Sequence, residues 1–127
     1  MDLTCVTLDC VDPAVLAQFW SEALRWPKVR VAEDNSGAVV LPPARGGPYL
    51  ELIRVDEPKL VKNRMHLGCT AGTLDELDGE IARLVALGAS IAWEEDFEPD
   101  VAAGYRNVIL RDPEGNELCL SGGSWRQ

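Results

Sequence analysis

Apolar and polar residues alternate through 3-LTCVTLDC-10, with Thr4, Val6, Leu8 and Cys10 on one face and Leu3, Cys5, Thr7 and Asp9 on the other. That period of two predicts a half-buried strand. The period then lengthens. In 13-PAVLAQFWSEAL-24 the residues Leu16, Phe19, Trp20, Ala23 and Leu24 fall on one helical stripe, which predicts a helix packed on a sheet. Asp12-Pro13 opens it, because Asp can accept from free N–H groups and Pro is tolerated at the first helical position. Three short strands are predicted next, in 27-PKVRVAE-33, 37-GAVVLPP-43 and 48-PYLELIRV-55. The turn-rich stretches Asp34-Asn35-Ser36-Gly37 and Arg45-Gly46-Gly47 separate them.

After the charged connection Asp56-Glu57-Pro58-Lys59 the order restarts. The strand 64-RMHLGCT-70 leads through a Thr73-x-x-Glu76 capping box into the helix 74-LDELDGEIARLVAL-87, whose apolar stripe is Leu77, Ile81, Leu84 and Val85 and whose terminator is Gly88. Strands are predicted in 90-SIAWEE-95, 105-YRNVILRD-112 and 116-NELCLSG-122, the last two joined by a turn at Asp112-Pro113-Glu114-Gly115-Asn116. A unit of about 60 residues occurring twice is too long and too rare for a solenoid. The expectation is one α+β domain over residues 1–127, built of two βαβββ modules (1–56 and 62–122). Paired, the modules would form a curved mixed sheet, a cup, with the helices outside.

Composition narrows the partners. The 127 residues are 46% hydrophobic and 26% charged, an ordinary globular balance, and carry a formal net charge of -9. That sign, without a Lys/Arg cluster, argues against nucleic acid and membrane surfaces and leaves small molecules or proteins as partners. No apolar run of membrane-spanning length occurs, and 1-MDLTCVTLDC-10 has an acidic residue where a signal peptide carries Lys or Arg, so a cytoplasmic location is expected. The four cysteines form no C-x-x-C. In a reducing compartment they are not expected to pair; Cys10 and Cys69, on the helix-facing sides of equivalent strands, read as core.

The only histidine, His66, falls inside a predicted strand, and Glu51 stands between Leu50 and Leu52, which places it on the inner face. A carboxylate inside a cup is costly unless paired, so Glu51 is either functional or bonded to Arg54, Arg64 or Arg106. His66 reads as a wall residue bonded to a backbone group or to Glu51, able to act as general acid or base. Asp9 and Thr7 share the inner face of the first strand. Trp20 and Trp26 read as packing residues. The acidic stretch 94-EEDFEPDVAAGY-105 reads equally as a lid with Trp93, Phe97 and Tyr105 as ligand contacts or as a solvated loop.

The segments 7-TLDCVDPAVLAQFWSEALRW-26, 57-EPKLVKNRMHLG-68 and 111-RDPEGNELCL-120 resemble the glyoxalase-like subgroup of the vicinal oxygen chelate superfamily, which includes glyoxalase I, bleomycin-resistance proteins and extradiol dioxygenases. The resemblance covers essentially the whole chain and implies the cup fold, a homodimer, and lysines and asparagines such as Lys62 and Asn63, with Arg64, at a cup rim or dimer contact. It speaks weakly for reaction, because this scaffold hosts many chemistries. In metal-dependent members four ligands come from the first and fourth strand of each half. Carried over, these positions are Cys5, Glu51, His66 and Cys119, of which only Glu51 and His66 keep the usual His/Glu pattern. Such a set is most compatible with zinc among divalent metals.

Two functions remain. One is a small-molecule-binding protein, like the bleomycin-resistance members, without a full metal site; an acidic surface and the Trp93, Phe97 and Tyr105 walls would suit a cationic ligand. The other is a divalent-metal-dependent lyase or isomerase acting on vicinal oxygens, with Glu51 or Glu117 as base and His66 as ligand. The cysteines argue against an ordinary glyoxalase I, and a single histidine argues against an extradiol dioxygenase.

Overall fold

The computed structural model describes residues 1–42, 47–95 and 104–124, and of Lys28 the backbone only. Phe97, most of the stretch read as a lid, and Trp125 lie outside the described residues. The chain divides into two compact units, Met1–Leu60 and Val61–Gln127.

The first unit runs β1 (Cys5–Cys10), α1 (Pro13–Leu24), β2 (Lys28–Val31), β3 (Gly37–Leu41) and β4 (Tyr49–Arg54). Its sheet has the order β1-β4-β3-β2, with β1 parallel to β4 and the other pairs antiparallel. The helix packs on β2, β3 and β4. It places Leu16, Ala17, Phe19 and Trp20 against the buried Ala38, Val40, Leu50 and Leu52, and Phe19 meets Trp20 edge-on with centroids 5.5 Å apart. Burying side chains of this size supplies about 1.5–3 kcal/mol each before entropy is counted. Asp12 caps α1 by accepting from the Val15 N–H at 3.3 Å, and Asn35 adds a second cap, its Oδ1 accepting from the Ala14 N–H at 3.0 Å. Asn35 sits at φ 54°, a left-handed conformation that Asn tolerates better than most residues.

The second unit repeats the plan with β5 (Leu67–Gly72), α2 (Leu74–Leu87), β6 (Ser90–Glu95), β7 (Tyr105–Arg111) and β8 (Glu117–Gly123). Its sheet order is β5-β8-β7-β6, again with first and last strands parallel. The two βαβββ modules read from the sequence are both present, and the fold is α+β. The Thr73/Glu76 capping box forms in both directions, and Gly88 ends α2 at φ 118°. On α2 the buried residues are Leu77 and Leu84; Val85, assigned to the same stripe, is 43% exposed. Gly122 lets α2 sit close to β8, since a Cβ there would lie 2.7 Å from the Thr73 carbonyl oxygen and 2.8 Å from Leu77 Cβ. No helix among the described residues is long and apolar enough to cross a membrane.

Two details depart from the sequence reading. The second module's first strand begins at Leu67, not Arg64, and His66 is exposed just before it. Just ahead of this stretch the Asn63 N–H donates to Glu117 Oε2 at 2.9 Å, which ties the approach to β5 to the start of β8. The second is an irregularity in β6 between Ile91 and Trp93, which brings Trp93 opposite Ile109. The extra residue turns Trp93 to the face that straight alternation would deny it.

Gly122→Ala is expected to lower stability by about 1–3 kcal/mol, because a backbone carbonyl cannot move aside for the new methyl; the denaturant midpoint measures this. Thr73→Ala should cost about 1 kcal/mol through loss of the cap. Asp12 and Glu76 are held below the usual carboxylate range, Asp12 chiefly by the Asn35 amide and Glu76 chiefly by the Thr73 N–H. Depressed carboxylates stabilise the folded state above their unfolded values, and this contribution disappears as pH falls through the folded ones. Thermal unfolding recorded from neutral to acid pH should show that loss, smaller in Thr73→Ala.

Candidate functional site

Each helix covers one face of its sheet, so the functional candidates are those on the opposite, open face. In the first unit this face carries Cys5, Thr7 and Asp9 of β1, Tyr49, Glu51 and Ile53 of β4, and Val39 of β3, as the register requires. Glu51 is half-buried between Thr7 and Val39, and its Oε2 accepts from the Thr7 hydroxyl at 2.9 Å. Among the described residues it has no ion pair; Arg106, one expected partner, binds Asp78 at 2.8 Å and Glu94 at 2.7 Å instead. Cys5 lies against Tyr49 and pushes the phenol above its ordinary value. Asp9 is exposed. Beside Glu51 the sheet forms an open cavity of about 320 Å³ lined by Arg30, Val31, Gly37, Val39, Glu51 and Ile53. Its floor is apolar, with a carboxylate on one side and a guanidinium on the other.

In the second unit the open face carries Gly68 and Thr70 of β5, Glu117, Cys119 and Ser121 of β8, Tyr105, Asn107, Ile109 and Arg111 of β7, and Trp93 and Glu95 of β6. Glu117 is 3% exposed, with Oε2 on the Asn63 N–H and Oε1 3.5 Å from the Arg111 guanidinium. Both oxygens are therefore engaged in holding the chain together. Arg111 also lies over the Trp93 ring, 5.9 Å from its centroid. Burial, and secondarily the Glu95 charge, pushes the Cys119 thiol up, and Gly68 makes room for it, a Cβ there standing 3.3 Å from Sγ. Cys69 faces the helix side and is also raised by burial. Below Trp93, Asn107 donates from Nδ2 to Glu95 Oε2 at 2.7 Å, while its buried Oδ1 has no hydrogen-bond partner.

The four positions carried over as metal ligands divide two and two: Cys5 and Glu51 in the first unit, His66 and Cys119 in the second. Among the described residues no group of three or more His, Cys, Asp or Glu side chains is placed to hold a metal ion. The donor chemistry is also a poor fit for a hard divalent ion. It offers two sulfurs, one imidazole and one carboxylate already accepting from Thr7. Arg30, Glu95, Asn107 and Arg111 were not singled out in the sequence. None of these left a distinguishing trace; Asn107 stands between Arg106 and the apolar run Val108-Ile109-Leu110.

Comparison with known proteins follows the geometry. The model of a family described as a glyoxalase-like domain matches residues 5–121. The structure is similar to a glyoxalase/bleomycin resistance protein/dioxygenase family enzyme from Burkholderia phytofirmans PsJN, with TM-score 0.71, 15% identity, and 98% of this chain and 100% of that one covered. It is similar to a mutant of the fosfomycin resistance protein FosX from Listeria monocytogenes, complexed with Mn(II) and dihydroxypropylphosphonic acid, with TM-score 0.73, 16% identity and coverage of 96% and 90%. A glyoxalase-related enzyme from Fulvimarina pelagi aligns with TM-score 0.69, 19% identity and coverage of 100% and 98%. No curated protein matches. With the repeated βαβββ plan and a match over nearly its whole length, the chain belongs to the glyoxalase-like domain family of the vicinal oxygen chelate superfamily.

Proposed function

We propose that this protein binds a small organic molecule on the open faces of its sheets, without a full metal site of the superfamily's usual kind. The observation that carries this reading is the cavity beside Glu51, lined by the apolar Val39 and Ile53 together with Arg30 and Glu51. Arg30 and Glu51 both stand opposite Val39, on the strands to either side of β3. Two strand spacings, about 9–10 Å, separate them. A molecule with an apolar body and a polar group at each end suits that separation, the body displacing water from the floor and the ends fixing its orientation.

Glu51 is the polar anchor in this reading: Thr7 orients its carboxylate, and the second oxygen is left to take a donor from the ligand. Glu117, expected from the sequence as a possible base, is assigned instead to holding the segment before β5. His66 and Cys5 have no part in the binding step. A homodimer accompanies the proposal as an expectation from the family, and a cytoplasmic location as an expectation from the sequence.

Metal analysis of untagged protein purified without chelators is expected to find no stoichiometric metal, and chelation should leave the thermal midpoint unchanged. Near-stoichiometric metal with loss of stability on chelation overturns the proposal in favour of a metal-dependent lyase or isomerase. In NMR titrations with small amphiphilic acids, amines and zwitterions, ligands should shift Val39, Glu51 and Ile53. Glu51→Gln should weaken such binding about tenfold through loss of a charged hydrogen bond. Glu117→Ala, by contrast, should lower stability by about 1–3 kcal/mol, the cost of stranding the groups its carboxylate serves, with ligand affinity at Glu51 unchanged.

A further inference from the structure

The second sheet carries an unusual local shortage of donors. Its other inward carboxylate, Glu117, has Arg111 beside it, and neighbouring Glu94 on the helix side has Arg106. Glu95 has neither. Among the described residues its hydrogen-bond partner is the neutral Asn107 amide, which binds one carboxylate oxygen. Asn107 is only 8% exposed, and its Oδ1 is a buried acceptor with nothing donating to it. A buried polar atom left in this state costs about 1–3 kcal/mol.

The surroundings cannot supply what is missing. Ser121, opposite Asn107 in the register, gives its hydroxyl proton to the Cys69 carbonyl, and Thr70 gives its own to the Ser121 carbonyl. Turning the Asn107 amide over does not help, since it would set Oδ1 against the Glu95 carboxylate and leave Nδ2 unpaired. Among the described residues, a charge without a counter-cation and a carbonyl without a donor therefore stand together, on adjacent strands and the same face.

We propose that Glu95 and Asn107 form the acceptor site for a primary ammonium group of a small ligand. A primary ammonium brings both missing things, a positive charge and several N–H donors. A quaternary ammonium brings charge alone. Cation–π capture is not what this face offers either, because the Trp93 ring is already covered by Arg111. This assignment deepens the binding proposal above and rests on it only in taking the ligand to be a small molecule; every residue involved belongs to the second unit.

The test is an NMR titration of isotope-labelled full-length protein with four probes: methylammonium, benzylammonium, benzyltrimethylammonium and benzyl alcohol. Benzylammonium is expected to bind at least about tenfold more tightly than the quaternary ion or the alcohol, with the largest shifts at the Asn107 side-chain amide and along β6 and β7. Methylammonium should shift the same resonances more weakly. Glu95→Gln should reduce benzylammonium affinity about tenfold or more while the amide spectrum away from β6 to β8 stays as in the parent. If that variant does not fold, the selectivity among the four probes in the parent protein decides. Equal affinity for the three benzyl probes, no binding of either primary ammonium, or an unaltered affinity in Glu95→Gln overturns the assignment. Shifts confined to Val39, Glu51 and Ile53 overturn it as well, while leaving the first-sheet cavity standing; shifts confined to Glu95 and Asn107 do the reverse.

Discussion

The parallel pairing of the first strand with the last, made once in each unit, is the constraint on which everything else rests. Parallel neighbours cannot be joined by a tight turn, so the chain must leave β1 or β5 through a helix, enter the sheet at its far edge and work back by antiparallel steps. The helix then has one face of the sheet to cover, and it buries that face with Leu16, Phe19 and Trp20 in one unit and Leu77 and Leu84 in the other. The second face is left without a layer of its own. Side chains of alternate parity, Thr7 and Glu51 or Glu95 and Asn107, are polar because the packing does not require them to be anything else.

An acidic chain must place its carboxylates where they stabilise or at least do no harm, and this one mostly uses them as tethers. Asp12 caps α1, and Glu76 completes the capping box of α2. Asp112 gathers the β7–β8 turn by accepting from the Glu114 and Asn116 N–H groups at 2.9 Å each, with Gly115 at φ 89° reversing the chain. Glu117 binds the segment ahead of β5. Against that pattern Glu51 and Glu95 stand out, since each is half-buried on an open face and each meets a neutral partner, a hydroxyl or an amide. Carboxylates arranged this way are poised to accept from something outside the sheet.

Much of the architecture could be read in advance because it depends on period and on caps. The alternation through Val6, Leu8 and Cys10, the stripes of both helices, the Thr73/Glu76 box and the Pro113-Gly115 turn are local signals whose causes lie within a few residues. The placement of His66 could not be read that way. Its strand begins three residues later than the apolar pattern suggests, and the approach to it is tied down by Glu117, 54 positions from Asn63. Trp93 faces its way because of a bulge that leaves no mark in composition. Asn107 merely follows Arg106 at the head of an apolar run, and only the structure, which sets it between Glu95 and Ser121, shows that its carbonyl has no donor among the described residues.

Family membership explains the scaffold and stops short of the chemistry, and the reason is physical. The fold is enforced by burial on the helix-facing sides, where Leu, Val, Ile and Ala exchange at small cost as long as volume is kept. The open faces are under no such restriction, so a position can change from His or Glu to Cys while β1 and β8 keep their register. The change matters only to a ligand. Burial pushes the Cys119 thiol up, so this position brings no second negative charge to the face that carries Glu95.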